Sequence, residues 1–200
     1  MPRLLIALLA LALAACGGSQ PTAAPTGGAE SPAAGADGTG VAVTGPGGEE
    51  LGTVTVSGDD AGTVVQVSLQ GLEPGFHGFH VHETGTCEGD APDGAFTTAG
   101  GHFNTGDAAH GEHTGDLPPL LVTGDGSVTA TVRTDAFTPA ELSDADGSAV
   151  IVHAGRDNLG NIPDRYTSSD ADAPGPDEAT TSTGDAGDRA GCGLLAPAGG

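Results

Sequence analysis

The chain has no lysine and no tryptophan, one tyrosine, one methionine and five phenylalanines in 200 residues. Bases are almost missing: five arginines stand against 27 acidic residues, for a formal net charge of -22. That balance repels nucleic acid and anionic lipid surfaces, so no nucleic-acid partner is expected. With aromatics scarce and 36 glycines present, a core has to be built largely from valine, leucine, alanine and isoleucine. Such a composition favours a turn-rich all-β protein over a helical one. No long helical pattern is visible either.

The longest apolar run, Leu4 to Ala15, follows Arg3 and is too short to span a bilayer comfortably. It ends in Leu13-Ala14-Ala15-Cys16, with small residues before a cysteine. This resembles a bacterial lipoprotein signal over residues 1–15, with Cys16 as the lipidated first residue of the mature chain. The alternative is a plain secretory signal with an incidental cysteine. Either way the expectation is an extracytoplasmic protein, at the cell surface or in a periplasm, and in the first case one anchored to the membrane through Cys16. Residues 16–40, rich in Ala, Gly, Pro, Ser and Thr, bury too little surface to offset ordering entropy and read as a flexible tether. Three cysteines leave an odd one in a secreted chain. If Cys16 carries lipid, Cys87 and Cys192 remain as a pair. An oxidising compartment lets them close a loop of roughly a hundred residues, a constraint on the order of 4 kcal/mol in the chain-entropy model. Metal ligation by either is the weaker alternative, because neither sits at ligand spacing from a histidine.

Residues 41–200 are the expected folded domain. β-Branched or alternating segments occur at Gly52 to Ser57, Thr63 to Leu69, Phe76 to Glu83, Leu120 to Thr123, Ser127 to Arg133 and Ala149 to His153, separated by turn residues. They imply an antiparallel β-sandwich or flattened barrel with two long loops, Glu83 to Pro119 and Ala154 to Gly191. Loops of that length inside a compact domain are usually functional or pinned by something.

Six of the seven histidines supply the pins. Residues two apart on a strand project from one face, so His80 and His82 can present two imidazoles to one ion. His153 ends another apolar strand and adds a third. Downstream, His102, His110, His113 and Asp116 offer three nitrogens and a carboxylate, the closed tetrahedral set that zinc favours. Seven positions for two four-coordinate ions require one shared residue, and an imidazole has two nitrogens with which to share.

Gly78-Phe79-His80-Val81-His82-Glu83, Gly101-His102-Phe103-Asn104, His113-Thr114-Gly115-Asp116-Leu117, Val152-His153 and the run Gly184 to Gly193 together resemble the copper/zinc superoxide dismutases, specifically their bacterial extracytoplasmic branch. The resemblance implies an immunoglobulin-like Greek-key β-sandwich, or flattened eight-stranded barrel, with two long functional loops. It implies dismutation of superoxide to dioxygen and hydrogen peroxide, with copper and zinc as cofactors. Position by position, His80, His82 and His153 match the copper-only ligands, His102 the imidazole bridging copper and zinc, and His110, His113 and Asp116 the remaining zinc ligands. Cys87 and Cys192 match the family disulfide, Arg189 the arginine that guides superoxide, and Asp157 the carboxylate joining a copper histidine to a zinc histidine. Thr183 matches a position at the channel mouth, and His77 a structural one outside the metal site.

One departure stands out. Only Gly111 and Glu112 separate His110 from His113, where the family usually has a longer insertion, so a tighter zinc loop of altered geometry is expected, with Glu112 as a substitute ligand. The acidic composition also implies weaker long-range guidance of an anion than in lysine-rich relatives. A homodimer and a monomer remain equally compatible with the sequence. The alternative function is a lipid-tethered copper- and zinc-binding module with little or no dismutase activity.

Overall fold

The computed structural model describes residues 38–59 and 62–196. The expected signal peptide, Cys16 and all but the last three residues of the expected tether lie outside the described residues. Eight strands form one antiparallel sheet: β1 (Thr39–Thr44), β2 (Glu50–Asp59), β3 (Gly62–Leu69), β4 (Gly75–His82), β5 (Asp116–Val122), β6 (Val128–Thr134), β7 (Ser148–His153) and β8 (Arg189–Ala196). Their order is β5-β4-β7-β8-β1-β2-β3-β6, and β5 and β6 approach each other to close the sheet nearly into a barrel. β6 lies beside β3 while β4, β5 and β6 follow one another around the wall, which is a Greek key. The eight-stranded fold expected from the resemblance is the fold observed.

Two strands, β1 and β8, lie outside the segments marked by the period-two pattern, and β5 begins before its segment. β8 reads as loop because of Gly191 and Gly193, yet a Cβ at Gly191 would meet Leu51 Cδ1 at 3.0 Å and Val43 Cγ1 at 3.2 Å. Neighbouring side chains already fill the space, so glycine is what lets β8 pack there. β1 is six residues long and begins with Thr39 and Gly40, inside the stretch expected to be tether. β5 starts at Asp116, four residues earlier than Leu120, and runs through Pro118 and Pro119. It is the end strand beside β4, where a missing N–H costs no ladder bond, and the β4 register slips between His77 and Phe79 opposite the prolines.

Inside the barrel, Val43, Val54, Val67, Phe79, Val81, Leu120, Val150 and Val152 form the main core. A second cluster lies on the outer face: Phe96 and Ala99 from the loop after β4 pack on Ala149, Ile151 and Cys192. β3 shows the alternation of a strand with one wet face, whereas every residue of β7 is buried. The two long loops cover the outer face of β4, β7 and β8, and the histidines lie under that cover.

The loops are held at a few points. Cys87 and Cys192 form a disulfide with Cα atoms 5.7 Å apart, tying the first loop to β8. Phe96 adopts a left-handed conformation at φ 60 ahead of a 3-10 turn, Thr97–Ala99. That backbone costs about 1 to 3 kcal/mol, and burial of the ring, about 1.5 to 3 kcal/mol, offsets it. In the second loop a short helix, α1 (Glu178–Thr183), is capped by Asp177, whose side chain accepts from the Thr180 N–H.

Candidate metal centre

Alternation along β4 sends Phe79 and Val81 into the barrel and His80 and His82 outward beneath the loops, opposite Ile151 and Ala149 of β7. His153 closes β7 on the same face. Each of these three histidines has one ring nitrogen committed and one free. His80 Nε2 donates to Asp157 Oδ2 at 2.5 Å, His82 Nδ1 to the Gly100 carbonyl at 3.0 Å, and His153 Nδ1 to the Gly187 carbonyl at 2.9 Å. Since a carbonyl or ionised carboxylate only accepts, those bonds fix the tautomers. The other nitrogens, His80 Nδ1, His82 Nε2 and His153 Nε2, are buried without a hydrogen-bond partner. Burying a bare polar atom is costly. Three together, with ligand atoms of His80, His82, His102 and His153 all within 4.8 Å of one another, fit a metal ion. Burial keeps these rings neutral and ready to ligate: it pushes His80 below the usual histidine value, His82 well below it, and His153 down to about 3.

The second set is built from loop residues at the foot of β5. His102 Nδ1 stands 2.9 Å from Asp116 Oδ1, 3.3 Å from His110 Nδ1 and 3.3 Å from His113 Nδ1. Asp116 Oδ1 is 3.4 Å from both of those nitrogens. Four ligands at zinc–nitrogen and zinc–oxygen bond lengths stand about 3.4 Å apart on a tetrahedron. Five of the six edges are therefore close to that figure or somewhat short of it. His80 likewise has a ring nitrogen within 4.8 Å of ligand atoms of His102, His110 and Asp116. We assign His113 rather than His80 to this set, because His80 Nε2 is already engaged by Asp157 while His113 Nδ1 faces both His102 and Asp116.

The short link between His110 and His113 does not bring the altered geometry expected of it: the ligand atoms keep near-tetrahedral spacings. Gly111, at φ 95, makes the tight turn, and a Cβ there would lie 2.6 Å from the Leu159 carbonyl oxygen. Asp116 Oδ2 accepts the N–H of Gly111 at 2.7 Å and of His113 at 3.1 Å, so one oxygen folds the turn and the other faces the histidines. The carboxyl itself resists burial, but hydrogen bonding from His102 and the nearby His110 hold it at about 2. Glu112 is exposed and belongs to neither ligand set, so the substitute role expected for it is corrected.

Asp157 joins the two sets. Its Oδ1 accepts from His110 Nε2 at 2.7 Å while Oδ2 accepts from His80. Those two bonds outweigh its burial and keep it ionised far below the carboxylate range. They work the other way on His110: burial opposes its charge, but the Asp157 hydrogen bond with Asp116 and Asp185 nearby raise it overall. Gly184 leaves room for this contact, since a Cβ there would lie 2.7 Å from Asp157 Oδ1.

Above His82, His102 and His153 opens a cleft lined also by Ser182, Thr183, Gly187 and Arg189. Arg189 donates Nη1 to the Phe96 carbonyl and Nη2 to the Gly100 carbonyl, and burial lowers it somewhat from its ordinary value. His77 lies apart from both sets, its ring nitrogens each 2.7 Å from the carbonyls of His153 and Glu73, where it braces the back of β7. Sequence reasoning missed the carbonyls of Phe96, Gly100 and Gly187, because a backbone acceptor leaves no signature in residue type.

Comparison with known proteins agrees with this geometry. A model of the copper/zinc superoxide dismutase family matches residues 50–195. The chain belongs to the copper/zinc superoxide dismutase family. It is 48% identical over 136 residues to a Cu-Zn superoxide dismutase of Mycolicibacterium paratuberculosis, covering 62% of this chain and 57% of that protein. With the Mycobacterium tuberculosis enzyme it shares 46% over 132 residues, covering 62% and 54%. The chain thus spans little more than half the length of these relatives. Among solved structures, Cu/Zn superoxide dismutase from Brucella abortus superposes with a TM-score of 0.60 at 32% identity, over 80% of this chain and 99% of that one. A SOD-like protein from Bacillus subtilis gives 0.58 at 30%, over 78% and 97%. The four-histidine set suits copper, and the set of His102, His110, His113 and Asp116 suits zinc, the two metals in the family's name.

Proposed function

We propose that this chain dismutes superoxide, converting two superoxide ions and two protons to dioxygen and hydrogen peroxide. The observation that carries this is the trio of orphaned imidazole nitrogens on His80, His82 and His153, gathered with His102, three of these four rings lining a cleft that Arg189 also lines. Copper, which His80, His82, His102 and His153 would hold, would supply the one-electron chemistry in both directions, and zinc would be held by His102, His110, His113 and Asp116. The residues do the rest. Arg189, the one lysine or arginine lining the cleft, attracts and orients the anion. His102, fixed through Nδ1 among Asp116, His110 and His113, keeps Nε2 toward the copper side, where it can hold a proton and deliver it to the peroxide product. Asp157 locks His80 and His110 at once, so the two ligand sets keep their relative position through the cycle.

We further propose that the reaction takes place outside the cytoplasm, with the chain held to a membrane by lipid on Cys16. The signal-like residues 1–15 and a Cys87–Cys192 disulfide, which an oxidising compartment favours, support this. The test of activity is metal analysis together with a superoxide assay on the purified protein loaded with copper and zinc. One copper, one zinc and rapid dismutation are expected. Bound copper without activity would replace this reading with that of a metal-binding module. Labelling with a fatty-acid precursor tests the anchor, and loss of the label in Cys16→Ser is the expected result.

A further inference from the structure

We propose that Glu83 is a positioning residue for both the copper-side ligand His82 and the anion-guiding Arg189, and that it acts on them through a single peptide group. The peptide joining Gly100 to Gly101 is trans, so its carbonyl and its N–H point in opposite directions. On one side the Gly101 N–H donates to Glu83 Oε1 at 3.0 Å. On the other, the Gly100 carbonyl accepts from His82 Nδ1 at 3.0 Å and from Arg189 Nη2 at 2.6 Å. The Glu83 N–H grips the same segment again, donating to the Gly101 carbonyl at 3.0 Å. Three side chains with different duties therefore meet at the two ends of one amide.

That amide depends on its partners for its direction. Gly100 lies at φ 76 and ψ -156, a region open to glycine and hardly to any other residue, so local sterics leave the carbonyl free to swing. The Glu83 side chain lies directly over it: a Cβ at Gly100 would stand 2.7 Å from Oε1 and 2.8 Å from Cγ. An acceptor on the N–H also polarises the peptide and strengthens its carbonyl as an acceptor for the two donors opposite. For His82, a well-placed Gly100 carbonyl keeps the proton on Nδ1 and the lone pair on Nε2. For Arg189, it is one of the two carbonyls that aim the guanidinium. Glu83 directly follows His82, so the strand that presents the ligand also carries the residue that orients the ligand's partner.

The Arg189 half of this inference rests on the dismutase reading; the His82 half does not. The test compares Glu83→Ala with Glu83→Gln in the copper- and zinc-loaded protein, because glutamine keeps an oxygen acceptor and alanine removes it. In Glu83→Ala, copper affinity measured by chelator competition should fall about tenfold, the lower end of what losing a ligand's hydrogen-bond partner costs. The Cu(II) paramagnetic resonance spectrum should change with it. In the metal-free protein, the His82 Nδ1 proton should exchange faster with water by nitrogen-15 NMR, and Glu83→Gln should recover most of all three. Unaltered affinity, spectrum and exchange in Glu83→Ala, even with a lowered melting temperature, would overturn the proposal, as would a glutamine variant no better than alanine. None of these readings needs turnover, so an inactive parent protein would count against the dismutase reading alone.

Discussion

The set proposed for copper is carried mainly by strands and the set proposed for zinc mainly by a loop, and the two are held in place by different physics. His80 and His82 leave β4 outward because Phe79 and Val81 leave it inward, and β7 fixes His153 in the same way. Rotating any of these rings off the face would mean moving the barrel core. His110 and His113 have no such support. Their positions follow from a glycine turn, from two N–H groups on Asp116 Oδ2, and from the Asp157 bond to His110. The strand half is therefore preformed by the fold, whereas the loop half is organised by a handful of polar contacts that metal binding reinforces. Asp157 and His102 are the two residues that cross between them.

Four perturbations would break or sharpen this contrast. The largest effect is expected from His153→Ala, which removes a strand-borne donor that no loop can replace. Dismutation should fall by more than about 100-fold, beyond what losing a ligand's hydrogen-bond partner costs, while zinc content by atomic emission stays near one per chain. Next comes Asp157→Ala, which cuts the crossing contact: zinc affinity should fall about 10- to 100-fold, with a changed copper spectrum. If only one half responded, the halves would be uncoupled. Gly111→Ala should act on the loop half alone, because the new Cβ meets the Leu159 carbonyl at a backbone angle that disfavours side chains. Zinc affinity should drop about tenfold, by analogy with other damage to a ligand's support, with copper affinity unchanged by chelator competition. Least dramatic is the effect of salt. Arg189 is the single lysine or arginine in the cleft of a chain with 27 acids, so the rate should vary little with ionic strength, and a steep fall as salt rises would show strong attraction instead.

Acidity acts on both halves, since burial lowers His113 in the loop half as it lowers the strand histidines. His80, His82 and His153 titrate lower folded than unfolded, so between their folded values and about pH 6.5 the unfolded chain binds more protons. Stability of the metal-free protein therefore falls as pH drops through that window. Asp116 and Asp157 add a loss only below the ordinary carboxylate range, as pH falls toward their depressed values. His110, raised on folding, acts in the opposite sense, adding stability below its unfolded value that disappears as pH rises through its folded one. Urea unfolding of the metal-free protein between pH 7 and pH 4 should lose stability on the order of a few kcal/mol.

The same contrast explains what could be read from the sequence. The period-two placement of His80 and His82, and the apolar run that ends in His153, were legible because a strand writes its face into the residue pattern. β8 was not, since close packing of Val43 and Leu51 calls for glycine and erases the alternation; β5 was shortened by prolines that only an end strand tolerates. In the loop half the ligand types were legible but their geometry was not. Four residues from His110 to His113 suggested distortion, whereas the second oxygen of Asp116 shapes the turn so that the ligand atoms keep near-tetrahedral spacings. The peptide between Gly100 and Gly101, where Glu83, His82 and Arg189 meet, left only the Gly-Gly pair before His102 as a trace.

The most direct measurement is anomalous X-ray diffraction from crystals of the copper- and zinc-loaded protein, collected on both sides of each metal's absorption edge. Copper is expected among His80 Nδ1, His82 Nε2 and His153 Nε2, zinc among His110 Nδ1, His113 Nδ1 and Asp116 Oδ1, and His102 between them. Zinc in the strand-borne set, or copper placed without His102, would contradict that assignment.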